Sequence, residues 1–201
     1  MNYKNATRRI YDQNASAYEE KTKDYSRNYI LEDAELFVDS LSGSNVLDIG
    51  CGPGRDIEFL QSKGLNVYGI DISSSMCGIC RNKGLKVVMG DLEDLPFGEN
   101  YFDGIWAYTS LLHIPKSNFG RILDNIGELL KNEGVLYLGM KEGDFEGWKE
   151  GKNIDGEKRF YSLYKDNEMR NILSLNFKIL KSSNIKLGED NYLNYFCRKL
   201  S

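Results

Sequence analysis

Short apolar runs recur through the middle of the chain, each closed by a glycine or a polar residue. Runs this short and this apolar predict strands, over 46–49, 66–70, 86–89, 101–107 and 135–140. Amphipathic stretches between them predict helices, over 55–63, from Ser73 or Ser74 to near Gly84, and from Ser117 to about Leu130. Because strands and helices alternate, the pattern predicts a mostly parallel sheet with helices on both faces.

The amino-terminal segment has a polar helical pattern over residues 1–25. Its tyrosines at positions 11, 18 and 25 are seven residues apart, which is about two helical turns, so their rings share one stripe. A second helix is expected from Ser26, which can cap it, to about Leu41.

The carboxy-terminal part begins with residues 141–158, which are rich in glycine and charge and have no period. Such a stretch predicts a long loop, and long loops in compact domains are often functional. A helix over 165–175 should follow. Two final strands, over 177–183 and 192–199, should form an antiparallel hairpin through Gly188.

Composition narrows the class of protein. A length of 201 residues suits one domain with its own core, and a net charge of −4 argues against a protein that binds nucleic-acid phosphates. The chain shows no secretory leader and no apolar run of about 20 residues, so we expect a soluble, cytoplasmic protein. The cysteines include one Cys77-x-x-Cys80 pair, with no second pair and no histidine at ligand spacing. We therefore expect buried, reduced thiols and no metal.

The most distinctive stretch is 46–56, Val-Leu-Asp-Ile-Gly-Cys-Gly-Pro-Gly-Arg-Asp. A strand, a tight glycine turn and a helix start form the first half of a nucleotide-binding unit, and the glycines permit close approach of a ligand. The helix start offers free N–H groups to a carboxylate or a phosphate. The dinucleotide fingerprint G-x-G-x-x-G ends in glycine, but that position is Arg55 here and the third glycine comes early, at Gly54. The loop therefore argues against a dinucleotide.

Polar residues follow the next predicted strands as well. Asp71 ends the second strand about 20 residues after the loop, where a carboxylate can accept hydrogen bonds from both ribose hydroxyls. Asp91 and Leu92 end the third strand, where the acid can accept from an adenine amine and the leucine can pack on the ring. Ala107 and Tyr108 end the fourth. Because the carboxyl ends of parallel strands meet at one edge, these residues predict a single ligand site.

These stretches resemble successive motifs of the class I S-adenosylmethionine-dependent methyltransferases, of the small-molecule, type 11/25-like kind. The similar segments are V-L-D-I-G-C-G-P-G, Y-G-I-D-I-S, G-D-L-E-D-L-P-F and F-D-G-I-W-A-Y-T-S-L-L-H-I-P. Residues 130–137 resemble the next motif, although its usual proline is Asn132 here. The resemblance implies a single-domain, Rossmann-like doubly wound α/β sheet of seven strands, mostly parallel with a C-terminal antiparallel hairpin. It also implies S-adenosylmethionine as cofactor, S-adenosylhomocysteine as product, and no metal.

The resemblance further implies roles along the chain. It divides one domain over 1–201 into an N-terminal helical lid segment (1–42), a cofactor-binding core (43–141), and a substrate-side loop with the C-terminal hairpin (142–201). The tyrosine stripe either docks the first helix or forms a lid, since tyrosine faces attract a cationic sulfonium. The implied cofactor contacts are Tyr11, Tyr18, Asp48, Gly50, Cys51, Gly52, Gly54, Arg55, Asp71, Ile72, Met76, Asp91, Leu92, Ala107 and Tyr108.

Three residues are candidates for the acceptor side of the reaction. His113, the only histidine, follows the fourth strand and is either a catalytic residue or a structural one. Lys141 and Arg159 flank the predicted loop and, with Tyr161 and Tyr164, can frame an anionic or aromatic substrate.

The favoured function is transfer of a methyl group from S-adenosylmethionine to a small-molecule acceptor by in-line SN2 displacement. The fourth strand ends in Trp-Ala-Tyr-Thr, not in the [DNS]-P-P-[YFW] set typical of methyltransferases that act on base amines or glutamine. The alternatives are a methyltransferase acting on RNA or protein, a S-adenosylmethionine- or nucleotide-binding protein without catalysis, and a dehydrogenase. No nucleic-acid or membrane partner is expected.

Overall fold

The computed structural model describes residues 2–24, 30–152 and 154–200. The strands in this part of the chain are β1 (Asn45–Ile49), β2 (Asn66–Asp71), β3 (Lys86–Met89), β4 (Phe102–Tyr108), β5 (Leu130–Lys141), β6 (Glu146–Gly151), β7 (Ile154–Ser162), β8 (Phe177–Leu187) and β9 (Asp190–Lys199). The helices are α1 (Tyr3–Thr22), α2 (Leu31–Asp39), α3 (Arg55–Ser62), α4 (Ser74–Asn82), α5 (Lys116–Leu129) and α6 (Asp166–Leu173), with a 3₁₀ turn at Leu111–His113.

Within the described ranges, seven strands form one sheet in the order β3-β2-β1-β4-β5-β9-β8. The first five of these are parallel, and β9 runs antiparallel between β5 and β8. The strand order reverses between β1 and β4, so a crevice opens beyond the carboxyl ends of these two strands. The predicted fold, a mostly parallel sheet closed by an antiparallel hairpin, is confirmed.

Helices bury both faces of the sheet, which explains the continuous apolar runs in its central strands. All seven residues of β4 are buried. On one face Leu47 and Ile105 pack with the apolar stripe of α5, including Phe119 and Ile122. The other face holds an aromatic cluster beneath α2, in which the rings of Trp106 and Tyr137 stack at 4.0 Å. The site therefore stands on a sheet that is rigid at its centre.

The prediction of a long loop over 141–158 is wrong. Most of this stretch forms β6 and the start of β7, which pair as an antiparallel hairpin outside the main sheet. Residues of β6 alternate between exposed and half-buried, so the strand has no apolar face that a hydrophobic pattern could reveal. Pairing with β7, which continues to Ser162, satisfies its backbone groups instead.

The predicted start of the second helix at Ser26, and the third tyrosine of the stripe, Tyr25, lie outside the described residues. Helix α2 begins at Leu31 and ends at Asp39, close to the predicted end near Leu41. No helix in the described ranges is long and apolar enough to cross a membrane.

Candidate active site

The glycine loop after β1 forms the floor of a cleft at the crevice. Gly50 and Gly52 have left-handed backbone conformations, with φ of 70° and 53°, which favour glycine. A Cβ atom at Gly50 would overlap the side chain of Ser110, whereas one at Gly52 would meet no atom within 4 Å. The loop thus lies tightly against the β4 side and presents bare backbone to the open cleft.

The carboxylate of Asp71 projects from the end of β2 toward this loop. Its Oδ2 accepts from the Gly52 N–H at 2.8 Å, and its Oδ1 accepts from the Ser73 N–H at 2.8 Å. Burial raises the pKa of Asp71, and the backbone donors lower it in part. Each carboxylate oxygen has two lone pairs, so both oxygens can accept a further hydrogen bond from a ligand in the cleft.

Helix α1 covers the cleft and is hydrogen-bonded to the start of α4 on the opposite side. Asp12 Oδ1 accepts hydrogen bonds at the amino terminus of α4, from the hydroxyls of Ser73 and Ser74 at 2.7 and 3.1 Å and from the Ser75 N–H at 2.9 Å. Burial alone would raise the pKa of Asp12, but these donors hold it below its ordinary value. Asp12 therefore acts as a cap on a helix from which it is about 60 residues away in sequence.

A second contact, an ion pair, holds the start of α1. Lys4 forms an ion pair with Asp91 after β3, with 2.6 Å between Nζ and Oδ2. The rings of Tyr11 and Tyr18 meet edge to face at 5.5 Å on the side that faces the cleft. The described part of the tyrosine stripe thus lies over the glycine loop.

The cleft, including the part of it that is open to solvent, has a volume of about 900 Å³. Twelve of the fifteen predicted cofactor contacts line it: Tyr11, Tyr18, Gly50, Cys51, Gly52, Arg55, Asp71, Ile72, Met76, Asp91, Leu92 and Tyr108. Sequence reasoning missed Tyr3, Lys4, Thr7, Thr109 and Ser110, which also line it. The α1 residues were missed because their position depends on the docking angle of the helix, which no local pattern encodes.

Three predicted contacts lie behind the wall of the cleft. Asp48 is 3% exposed, and its Oδ2 has no hydrogen-bond partner among the described residues. Burial and the nearby charge of Asp56 raise the pKa of Asp48 well above its ordinary value. Gly54 packs against Cys80 and Leu85, and Ala107 is fully buried. These three residues do not line the cleft, and their positions allow them to support the loop.

Arg55 occupies the position that a dinucleotide site reserves for glycine. Its guanidinium pairs with Asp56 through two contacts, Nε to Oδ1 at 2.8 Å and Nη2 to Oδ2 at 3.0 Å. Asp56 also accepts from the indole N–H of Trp106 at 3.2 Å. This pair fixes the first turn of α3 to the sheet and fills space at the edge of the cleft.

A second cavity of about 950 Å³ adjoins the cleft. The two share walls formed by Tyr11, Tyr18, Arg55, Thr109 and His113. The far wall comes from the β6–β7 hairpin and from the turn between β8 and β9. Lys141 and Arg159 both line this second cavity, so the structure brings together all three predicted acceptor-side residues.

Tyr11, His113 and Arg159 form one hydrogen-bonded chain between the two cavities. Arg159 Nη1 donates to the Tyr11 hydroxyl oxygen at 2.7 Å, and that hydroxyl lies 3.1 Å from His113 Nε2. His113 Nδ1 lies 2.7 Å from the Phe160 carbonyl oxygen, which can only accept, so we assign the proton to Nδ1. His113 Nε2 then accepts from Tyr11.

The electrostatics of this chain keep the imidazole neutral. Burial and the positive charge of Arg159 lower the pKa of His113 to about 3, against a smaller opposing effect of the Phe160 carbonyl. Burial raises the pKa of Tyr11, which therefore keeps its proton near neutral pH. Both groups act as hydrogen-bonding partners in this conformation.

Tyr164 is not part of this arrangement, contrary to the sequence-based expectation. It is 1% exposed, packs on Phe119 with ring centroids 5.0 Å apart, and lies under Lys116. Tyr161, three residues earlier, does line the second cavity.

All four cysteines are free and buried. In the described residues no three His, Cys, Asp or Glu side chains are grouped so that they could hold a metal ion.

Comparison with known proteins agrees with this geometry. Residues 46–134 match the model of a family described as a methyltransferase domain. An uncharacterized protein of Methanocaldococcus jannaschii is 34% identical over 128 residues, 63% of this chain and 48% of that protein. An uncharacterized methyltransferase of Geobacillus is 29% identical over 160 residues, 78% of this chain and 74% of that protein. The chain spans about half the length of several curated relatives that it matches.

A solved structure extends the likeness to nearly the whole chain. It is the 1,6-didemethyltoxoflavin-N1-methyltransferase of Burkholderia thailandensis, with 1,6-didemethyltoxoflavin and S-adenosylhomocysteine bound. The TM-score is 0.70 at 20% identity, over 96% of this chain and 88% of that one. Residues 46–134 are therefore similar to a methyltransferase domain, and nearly the whole chain shares the fold of an S-adenosylhomocysteine-bound methyltransferase.

Proposed function

We propose that this chain is a class I S-adenosylmethionine-dependent methyltransferase, and that it acts on a small-molecule acceptor that binds in the second cavity. The observation that carries the proposal is that this cavity adjoins the cleft and shares with it the walls formed by Tyr11, Tyr18, Arg55, Thr109 and His113. A molecule held there would sit beside a cofactor held in the cleft. The β6–β7 hairpin roofs the cavity, which suits a small acceptor better than a polymer.

The residues of the cleft fit the cofactor. Asp71 has lone pairs left for the ribose hydroxyls, and the bare backbone at Gly52 leaves room for close approach. Leu92 and Met76 supply apolar surface for the adenine ring. We propose that Tyr11 and Tyr18 face the sulfonium, and that residues 1–42 act as a lid on a core formed by 43–141.

The protein positions the two reactants and excludes water from them. When bound in the cleft, S-adenosylmethionine would supply a methyl group that an acceptor lone pair could take, with the electron pair of the broken carbon–sulfur bond left on sulfur as S-adenosylhomocysteine. Helix α1, held by Asp12 and Lys4, shields the site, and the shared walls align the two reactants. The remaining residues, 142–201, supply the acceptor side through the hairpin and the β8–β9 turn.

For His113 we propose a positioning role. Its Nδ1 donates to Phe160 and its Nε2 accepts from Tyr11, so neither nitrogen is free to take a proton from an acceptor. A His113→Gln variant keeps an acceptor for Tyr11, whereas His113→Ala does not. We expect His113→Gln to retain most activity with an unchanged pH profile, and His113→Ala to lose it. A lost acid limb in the pH profile of His113→Gln would instead identify a general base.

The small-molecule acceptor has one further support. The Burkholderia thailandensis protein of the same fold binds a small molecule together with S-adenosylhomocysteine. The net charge of −4 also disfavours the alternative of an RNA methyltransferase. The cytoplasmic location predicted from the sequence stays a prediction.

The proposal is tested in two steps. Calorimetric titration with S-adenosylmethionine, S-adenosylhomocysteine and NAD should show binding of the first two only. That binding should be lost in Asp71→Ala and kept in Asp94→Ala, an exposed aspartate outside both cavities. Small acceptors and an RNA and protein mixture are then screened for S-adenosylhomocysteine release. Turnover on RNA or protein alone would overturn the small-molecule assignment, and binding without any turnover would favour a non-catalytic binding protein.

A further inference from the structure

Arg159 is a buried cation without a counter-ion. The residue is 3% exposed, and it forms no ion pair with a carboxylate of the described residues. Its Nε is buried and has no hydrogen-bond partner in those residues. Removing a guanidinium from water without a compensating charge is strongly unfavourable, so such a residue indicates a missing anion.

The neighbours of Arg159 are neutral. Its guanidinium carbon lies 5.2 Å from the ring centroid of Tyr11 and 5.5 Å from that of Tyr161. Ring faces offset part of the burial of a cation, and the Tyr11 hydroxyl accepts from Nη1. Neither ring supplies a negative charge.

The other basic residues at the cavity are already paired or solvated. Lys141 and Lys152 both pair with Asp190, at 2.6 and 3.1 Å. Arg55 pairs with Asp56. Lys149 is half-buried in the hairpin wall, where it lies over the ring of Phe145 at 5.4 Å. Arg159 is therefore the buried positive charge of this cavity that lacks an anion among the described residues.

The guanidinium of Arg159 is closely packed at the edge of the second cavity. The residue lines that cavity, and its Nη1 donates to Tyr11. Gly151 of β6 packs against the arginine head, because a Cβ atom there would overlap Arg159 Nη2 and the Tyr161 hydroxyl. The hairpin thus leaves room for the arginine head only with glycine at this position. A guanidinium favours a carboxylate as its partner.

We propose that the methyl acceptor is a small organic acid, already ionised when it binds, whose carboxylate pairs with the guanidinium of Arg159 where that residue lines the second cavity. This inference rests on the proposed function, since it places the acid in the acceptor cavity. The cavity offers no free imidazole nitrogen to remove a proton, and an acceptor that arrives as an anion needs none for binding.

The experiment measures binding of simple probes with and without saturating S-adenosylhomocysteine. Acetate, benzoate, benzamide and phenyl phosphate are titrated calorimetrically into the wild-type protein, Arg159→Gln and Arg81→Gln. Arg81 is an exposed arginine of α4 outside both cavities and serves as the matched control. Binding of S-adenosylhomocysteine itself is recorded for every variant.

We expect acetate or benzoate to bind at least tenfold more tightly than neutral benzamide. Arg159→Gln should lose this preference and keep its affinity for S-adenosylhomocysteine within about twofold, and Arg81→Gln should behave as wild type. Gly151→Ala should weaken carboxylate binding without removing a charge.

The opposing outcomes are distinct. Equal binding of benzoate and benzamide, no binding of either carboxylate, or an unchanged preference in Arg159→Gln would overturn the inference while the proposed function stands. Phenyl phosphate bound at least tenfold more tightly than benzoate would also overturn it, in favour of a phosphate ester. Failure to bind S-adenosylhomocysteine would instead count against the proposed function, and the ligand-free titrations would still decide the carboxylate site.

Discussion

Replacing Tyr11 by phenylalanine removes one hydroxyl from the centre of the chain that joins α1 to the β6–β7 hairpin. That hydroxyl accepts from the Arg159 guanidinium at 2.7 Å and donates to His113 Nε2 at 3.1 Å, and the ring itself is kept. A hydrogen bond to a charged group contributes about 1.5–3 kcal/mol and one between neutral groups about 0.5–1.5 kcal/mol. We therefore expect Tyr11→Phe to lower the free energy of unfolding by about 2–4 kcal/mol.

The assay is urea unfolding of the ligand-free protein at pH 7, followed by circular dichroism. Tyr101→Phe is the matched control, because Tyr101 is 42% exposed and its hydroxyl contacts only the Tyr68 hydroxyl, at 3.3 Å. The control should change the free energy of unfolding by no more than about 0.5 kcal/mol, as surface substitutions usually do.

A double variant, Tyr11→Phe with Arg159→Met, tests whether the two residues act on one another. Both single changes remove the same hydrogen bond, so the double variant should be less destabilised than the sum of the singles, by about 1–3 kcal/mol. If Tyr11→Phe lost no more stability than Tyr101→Phe, or if the two effects were additive, the hydroxyl would not be the link inferred here.

Three further predictions concern the pH dependence of stability, the contact of α1 with α4, and the position of Gly151 in the β6–β7 hairpin. The pKa of His113 falls from 6.5 to about 3 on folding, so the unfolded chain binds the extra proton and stability is lost as pH falls below about 6.5. Relative to His113→Gln, wild type should lose up to about 1.4 kcal/mol per pH unit between pH 6 and 4, measured by urea unfolding, and parallel curves would refute this. Asp12→Ala removes a cap at the start of α4, so it should lower the free energy of unfolding by about 1–2 kcal/mol. It should also speed amide hydrogen exchange in α1. The control Asp39→Ala, at the end of α2, should leave both quantities unchanged. Gly151→Ala should raise the KM for the acceptor severalfold while the affinity for S-adenosylhomocysteine stays as in wild type, and an unchanged KM would show that the hairpin does not set the position of Arg159.

Sequence patterns could predict the centre of the sheet because its central strands, such as β1 and β4, are buried on both faces. Continuous apolar runs such as β4 arise where helices cover both sides, and their ends are marked by glycine and aspartate. The same logic located Asp71 and the glycine loop, since backbone geometry at a strand end demands particular residue types. These features are local, and the chain encodes them over a few neighbouring positions.

The hairpin and the docking of α1 could not be predicted in this way. Strand β6 exposes every second residue and leaves the others half-buried, so its pattern resembles a loop. The contact of Asp12 with Ser73 and that of Tyr11 with Arg159 join residues that are 61 and 148 positions apart. Such contacts depend on how finished elements pack, and a single aspartate or arginine in the sequence does not reveal its partner.

This difference separates cofactor recognition from acceptor recognition along the chain. The residues that would hold the cofactor through Gly52, Asp71 and Asp91 lie within the matched methyltransferase domain, 46–134. Tyr11 and Arg159, which would meet the acceptor, lie outside it, on α1 and β7. A common fold therefore indicates how the cofactor would be bound, whereas the terminal segments would determine which acceptor is bound. It follows that exchanging residues 146–162 with those of a relative should change the acceptor preferred and leave cofactor affinity in place, because no residue of that segment lines the cleft. Exchanging residues 1–22 should alter both, because Tyr11 and Tyr18 line the cleft and the second cavity.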